Sequence, residues 1–289
     1  MSNRHFSDLC TVALLSALAF SGSFFTNGAV AQQMPAAPDL GGMMPAGIRV
    51  TVGAMALYQP KFEGAKAYVF SALPIIEFSP ITTGAGGAGG HSPFDARALD
   101  DVSFAVIQSH GFEIGPSLGY RQGRAEKESP RLSGLGDIDG GLVVGGFARY
   151  NFGPMYLRAL FSHQVTGSDT GYLLRVSAGA ERQVAPKILI KGVITLDYAG
   201  EDYMQAYFGV TPLQSTRSGL TTFGAGAGFK SIGALLSTEY ALTADWKLLA
   251  SAGYTRYLGD AASSPITEAA DRFEARLGAS RSFDWKMRQ

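Results

Sequence analysis

The chain has 289 residues and carries 24 Lys and Arg against 24 Asp and Glu, so its formal net charge is zero; a nucleic-acid binder would show a basic excess. Charged residues amount to 17%, below the roughly 25% usual in soluble proteins, and glycine is frequent, with 37 residues. After the N-terminal region no run of about 20 apolar residues occurs, which excludes a bundle of transmembrane helices. A β-barrel and a soluble all-β protein both fit these bounds, and the pattern along the chain has to separate them.

Residues 1–31 read as a secretory signal. Arg4 and His5 precede an apolar stretch from Thr11 to Phe25, and Ala29-Val30-Ala31 forms a small-x-small cleavage site before Gln32. The single cysteine, Cys10, lies inside this segment. The exported chain is therefore expected to hold no disulfide, no thiolate metal site and no cysteine nucleophile. Residues 32–46, rich in Pro, Gly, Met and Ala, read as a flexible periplasmic lead-in to a barrel over 47–289.

From residue 48 the chain alternates. Ile48, Val50 and Val52 oppose Arg49, Thr51 and Gly53, and a loop follows over 59–66. Tyr68, Phe70, Ala72, Pro74, Ile76 and Phe78 form one face of a second strand, irregular at Pro74, which lacks a ladder donor. A glycine-rich loop spans Ser79–Pro93, and Leu99–Ile107 is a poor strand candidate. Gly111–Arg121 is the clearest strand. Phe112, Ile114, Pro116, Leu118 and Tyr120 share one face, and Glu113, Gly115, Ser117, Gly119 and Arg121 the other.

After a polar loop at Gln122–Ile138, alternation returns over 141–150, 155–162, 172–181 and 188–198, with tight turns at Asn151–Pro154 and Ala185-Pro186. A second long loop is expected at Gly200–Ser218, and Gly219–Phe229 is only faintly strand-like. Strands at 232–242, 246–255 and 273–283 follow, the last two separated by a loop at Leu258–Ala270.

Charge parity favours the membrane. Glu113, Arg149, Arg158, Arg175, Lys191, Glu239, Lys247, Glu274 and Arg276 all share a strand face with Gly, Ser and Thr, and none interrupts an apolar face. An Arg or Lys facing lipid at the midplane costs about 2–4 kcal/mol, whereas one facing the lumen meets water or a partner. These nine are therefore lumen-facing candidates with a structural role. Arg256 and Arg281 break parity only near strand ends, where long side chains can snorkel. Segments of about ten residues suit tilted strands crossing a bilayer, and lipid demands a closed barrel. The pattern predicts an all-β fold: a single transmembrane antiparallel β-barrel of about twelve strands, with ten to fourteen compatible.

The chain also resembles the MipA/OmpV family of Gram-negative outer-membrane proteins. The residues that carry the resemblance are Tyr58–Gly64, Leu73-Pro74, Gly115–Tyr120 with Arg124, Gly134–Asp139, Tyr207–Val210 with Gln214, Ser218–Leu220, Gly259–Ala261 and Ser264–Ile266. It covers residues 47–283. The resemblance implies a barrel in the outer membrane. For MipA-like members it implies a scaffold that brings a lytic murein transglycosylase together with a murein synthase; for OmpV-like members it implies adhesion or stress roles. It supplies no catalytic residues. Two departures stand out: the Gly84–Gly90 loop has the look of an insertion, and Asp284–Gln289 extends past Phe283, the expected terminal aromatic.

Candidate chemistry is thin. Gly134–Gly140, GLGDIDG, resembles a phosphate or calcium loop, but it lacks a following Lys-Ser/Thr and helix start, and position twelve counted from Asp137 is Ala148. His91, His110 and His163 show no metal-ligand spacing. Ser109-His110 and Ser162-His163 are adjacent on strands, which sends their side chains to opposite faces. The expectation is a non-enzymatic barrel without cofactors or metals, embedded in outer-membrane lipid, with no nucleic-acid partner. A small-solute channel and an OmpV-type surface adhesin are the competing readings, and both signs of charge inside a limited lumen favour a largely filled interior.

Overall fold

The computed structural model describes residues 47–81, 94–98 and 101–286. The expected signal and lead-in, most of the glycine-rich loop and the end of the C-terminal tail lie outside the described residues. The strands are β1 (Gly47–Pro60), β2 (Tyr68–Ile81), β3 (Phe94–Ala98), β4 (Asp101–Phe104), β5 (Ile107–Ser109), β6 (Phe112–Arg121) and β7 (Gly141–Phe152). They continue with β8 (Met155–Gln164), β9 (Tyr172–Ala185), β10 (Ile188–Ala199), β11 (Gly228–Ala241), β12 (Trp246–Tyr257) and β13 (Asp271–Lys286). Three short helices interrupt the series: α1 (Glu201–Phe208), α2 (Pro212–Ser218) and α3 (Gly259–Ser263).

Each strand pairs antiparallel with its neighbours, in the order β2-β1-β13-β12-β11-β10-β9-β8-β7-β6-β4-β3. The first strand pairs with the last from Gly47↔Lys286 to Tyr58↔Ala275, and β2 and β3 stand at the two ends of this order. β4 and β5 both pair with β6, through Val102↔Leu118 and Ile107↔Ile114, so the register slips by one residue at Ala105-Val106. They form one crossing broken by a bulge. Thirteen strands less this one interruption make twelve crossings of a transmembrane antiparallel β-barrel.

Several loop expectations give way. β2 runs on to Ile81, and Phe94–Ala98 is a strand that the sequence pattern did not single out. Leu99–Ile107 looked poor because its bulge puts Val106 and Ile107 consecutively at the surface, which spoils the alternation. Gly219–Phe229 is not a crossing; only Gly228 and Phe229 enter β11. With these exchanges the count stays at twelve, and from β5 to β13 the loop lengths sort by side. Two-residue turns lie at one end, at His110-Gly111, Gly153-Pro154 and Pro186-Lys187, while the long segments 122–140, 200–227 and 258–270 lie at the other. In bacterial barrels the short turns are periplasmic.

Burial is inverted relative to a soluble sandwich. Along β6 the apolar row is exposed and the polar row buried: Leu118 is 54% exposed and Glu113 only 8%. An exposed apolar row around a buried polar one is stable where the outer solvent is lipid. On β12 the outer row runs from Trp246, opposite Arg281, to Arg256, opposite Asp271. At about 3.3 Å per residue and a tilt of about 40°, that row spans about 25 Å along the membrane normal. Arg281 lies over the rings of Trp246 and Phe283, and Arg256 pairs with Asp271 at 2.9 Å, so the two outward cations mark the rims of the apolar band.

Candidate functional site

The long-loop end of the barrel carries a packed cap. Phe62 and Ala65 from the β1–β2 loop, Leu132 and Leu135 from the β6–β7 loop, Val210 from the α1–α2 connection and Ile266 after α3 form one buried cluster. A second cluster seats α1 on the wall through Tyr203, Met204, Tyr207 and Phe208, against Leu173, Ala199, Tyr257 and Ala261. These α1 residues follow helical spacing, yet the helix has only eight residues. So short a helix is unstable alone and forms because packing holds it. α2 carries its own signals: Thr211 and Gln214 make a capping box, Pro212 opens the first turn, and Gly219 closes the helix in the left-handed conformation.

Side-chain bonds tie these loops together. The Arg124 guanidinium donates to the Tyr207 carbonyl at 2.8 Å, and the Tyr207 hydroxyl donates to the Gln122 carbonyl at 3.0 Å. Gln214 donates to the Leu135 carbonyl at 2.6 Å, Ser264 to the Phe208 carbonyl at 2.5 Å, and Arg131 to the Pro265 carbonyl. Most segments that carried the family resemblance, among them Gly134–Asp139, Tyr207–Val210 and Ser264–Ile266, therefore lie in this cap.

Beneath the cap sits a charged junction. Lys230 on β11 donates to Glu63 at 2.8 Å and to the Tyr203 hydroxyl at 3.2 Å, and Tyr203 in turn donates to Glu63 at 3.0 Å. Lys230 also lies 3.9 Å from Asp197, which Arg175 grips with two bonds of 2.9 and 3.2 Å. Arg272 reaches Glu274 at 3.3 Å, and Arg121 lies over the Tyr203 ring at 5.0 Å. Burial alone would raise the Glu63 carboxyl; attraction to Lys230, with hydrogen bonds from Lys230 and Tyr203, outweighs it and holds the group below its usual range. Burial, reinforced by the Glu63 charge, pushes the Tyr203 phenol well above its usual value and that of Tyr207 to about 12.

Each of the nine charged residues singled out from the sequence lies in an ion pair. Arg158 holds Asp101 through bonds of 2.7 and 2.6 Å, and both side chains are 3% exposed. Arg149 approaches Glu113 to 3.9 Å and lies over the Tyr156 ring. Arg175 pairs with Asp197, Arg276 with Glu274 at 2.8 Å, and Lys191 and Lys247 share Glu239 at 2.5 and 3.4 Å. The nine do not converge on one centre; they are spread around the wall. The partners Asp101, Asp197, Glu63 and Lys230 were not among them. Asp101 and Lys230 sit in segments whose alternation is broken or glycine-rich, and Glu63 is on a loop, where strand parity has no meaning.

The motif-like features resolve into structure. The amides of Gly134 and Gly136 donate to the two Glu126 carboxylate oxygens at 2.6 and 3.0 Å, and Asp137 accepts from the Glu126 amide at 2.7 Å, so the loop's anion-binding amides are filled by its own chain. No cluster of metal-ligating side chains occurs among the described residues. Ser162 is buried while His163 lies in the outer register opposite Tyr172. For Ser109-His110 the strand argument fails. His110 has φ of 49°, which turns its ring back, and Ser109 Oγ lies 2.7 Å from His110 Nδ1. The pair sits exposed on a two-residue turn. Its ring meets the hydroxyl through Nδ1, and among the described residues no carboxylate accepts a hydrogen bond from the ring, so it lacks the third group of a nucleophile–base constellation.

The sequence profile described as MltA-interacting protein MipA matches residues 52–283. Among solved structures, the chain is similar to the NanC porin, at 9% identity over 81% of this chain and 98% of that one, with a TM-score of 0.37. It is similar to an outer-membrane channel from Pseudomonas putida F1 at 14% identity over 86% and 100% of the two chains, with a TM-score of 0.40. For the KdgM porin the values are 10%, 81%, 99% and 0.35. A search of curated protein sequences gave no match. With the profile spanning the barrel from β1 to β13, the chain belongs to the MltA-interacting protein MipA family of outer-membrane β-barrels.

Proposed function

We propose that this barrel is a non-enzymatic scaffold that brings a lytic murein transglycosylase together with a murein synthase. The observation that carries the reading is the family match, whose description names an interaction rather than a reaction. The architecture supports it. Loops from four connections pack into one apolar cluster over the long-loop end, and inner charges are paired rather than arrayed along an open path. In this reading the protein acts through contact, and its periplasmic partners meet the short-turn rim.

Export through a cleaved signal, and a structural role for the nine inner charges, belong to the same proposal. The test is a pull-down from membrane extract with the folded barrel as bait, read by mass spectrometry. Enrichment of a murein transglycosylase over an unrelated barrel supports the scaffold, and its repeated absence with folded bait overturns it. The second reading, a small-solute channel, is favoured by the partly exposed lysines of the inner wall, Lys191 and Lys247.

A further inference from the structure

Four inner residues stand side by side across the second half of the wall. Lys191 on β10 is paired with Ser237 on β11, Ser237 with Ser251 on β12, and Ser251 with Arg276 on β13. Directly paired residues share a face. Two cations therefore bracket two hydroxyls in one row, with about 4.8 Å from strand to strand.

The charges at the two ends do not cancel. Lys191 and Lys247 share the single Glu239 carboxylate, with side chains 43% and 51% exposed. Arg272 and Arg276 share the single Glu274 carboxylate at 3.3 and 2.8 Å. Each group of two cations and one anion carries one positive charge in excess. The junction beneath the cap takes up none of it, because Lys230 is set against Glu63 and Arg175 against Asp197. Glu181, across the ladder from Lys191, is exposed and ion-pairs with neither lysine among the described residues.

The hydroxyls between these groups are open. Ser237 and Ser251 are partly exposed, and neither side chain makes a hydrogen bond among the described residues. Thr51 and Ser282, paired in the same way between β1 and β13, bond to each other at 2.8 Å. Gly253, next to Ser251 in the inner row of β12, has no side chain to cover the pair. A β-carbon there would stand 2.7 Å from Glu274 Cγ, so the glycine lets Glu274 lie flat across the wall. Hydroxyl donors set between like charges on a concave wall concentrate an oxyanion and hold it.

We propose that this row binds a phosphate group, as its dianion, carried by a molecule that enters from the short-turn side. The Ser237 and Ser251 hydroxyls donate to its oxygens. The Arg276 guanidinium holds it from one side, and the Lys191 and Lys247 ammonium groups from the other. A dianion neutralises both excess charges, which a single carboxylate does not. The site is independent of the scaffold reading, because it needs no protein partner.

The test follows acetylation of Lys191 and Lys247 by a water-soluble reagent, on the folded protein in zwitterionic micelles, with modified lysines mapped by mass spectrometry. It is run at about pH 8, where phosphate is mostly a dianion. Inorganic phosphate at about ten times its dissociation constant slows both lysines about tenfold. It leaves the exposed Lys61 and Lys127 unchanged, and sodium chloride at equal ionic strength protects neither inner lysine. The Ser237→Ala/Ser251→Ala variant keeps all four cations and loses most of the protection, as does Arg276→Gln; heat-dependent gel mobility checks that each is folded. Glycerol phosphate protecting at lower concentration than lysophosphatidic acid names a soluble phosphate ester as the ligand, and the reverse order names a membrane lipid; either supports the site. Equal protection by chloride or acetate overturns the proposal. So does protection indifferent to the serine and arginine substitutions.

Discussion

Lys230 Nζ, on the barrel wall, stands 2.8 Å from Glu63 Oε1, on the first long-side loop, and so joins the cap to the strands. The Lys230 side chain is 5% exposed, and removing one partner of a buried pair leaves the other charge without compensation. Lys230→Met should therefore lower the stability of the folded barrel by about 3 kcal/mol, measured by urea titration in lipid vesicles. Adding Glu63→Gln to the same chain should restore most of the loss, because no charge then remains stranded.

The same junction sets a pH dependence. The Glu63 carboxyl is held below its usual value near 4.5, so its contribution is present above that value and is lost as pH falls through the depressed one. The Tyr203 and Tyr207 phenols are raised, Tyr207 to about 12, so their neutral forms support the fold up to about pH 10 and stability falls as pH climbs further. Proteolysis of the cap loops, followed against pH, should show a plateau with an acid limb below about 4.5 and an alkaline limb above about 10. Glu63→Gln should flatten the first limb, and Tyr207→Phe the second.

Leu236 and Ser237 are neighbours on β11, the first 58% exposed on the outer row, the second partly buried on the inner. In a lipid-facing barrel Leu236→Arg should cost about 2–4 kcal/mol of folding free energy in bilayers, and Ser237→Arg less than about 1. Equal effects at the two positions would argue against the membrane assignment of the outer row.

A β-carbon at Gly115 would run into the Phe104 carbonyl oxygen, on the strand that approaches β6 just before the bulge. Gly115→Val should open this side of the barrel, and the yield of refolded protein on a heat-modifiability gel should fall severalfold. Gly146 on β7, paired with Pro116 next door, has only one neighbouring atom near its β-carbon position, at 3.5 Å. Gly146→Ala should refold normally.

The regular strands were legible because lipid outside and a polar lumen inside impose a strict period of two, which Glu113, Arg149 and Arg158 obey against Ile114, Ala148 and Leu157. The cap was not. α1 and α2 are too short for a helical period to stand out, and Leu132 and Leu135 are buried only by residues far away in sequence. The bulge at Ala105-Val106 hid one crossing, since a single extra residue reverses the parity on which the reading depends. Val193 and Leu235, which face each other on the inner wall, escaped for a related reason: they lie among apolar neighbours, so alternation gives no sign that they face inward.

The proposed scaffold works by contact and not by passage. Single-channel recording of the folded protein in planar bilayers tests it most directly. A barrel that works by contact shows no steady ion conductance from the unaltered protein at either polarity. A steady, ohmic conductance that scales with the number of inserted barrels would contradict it.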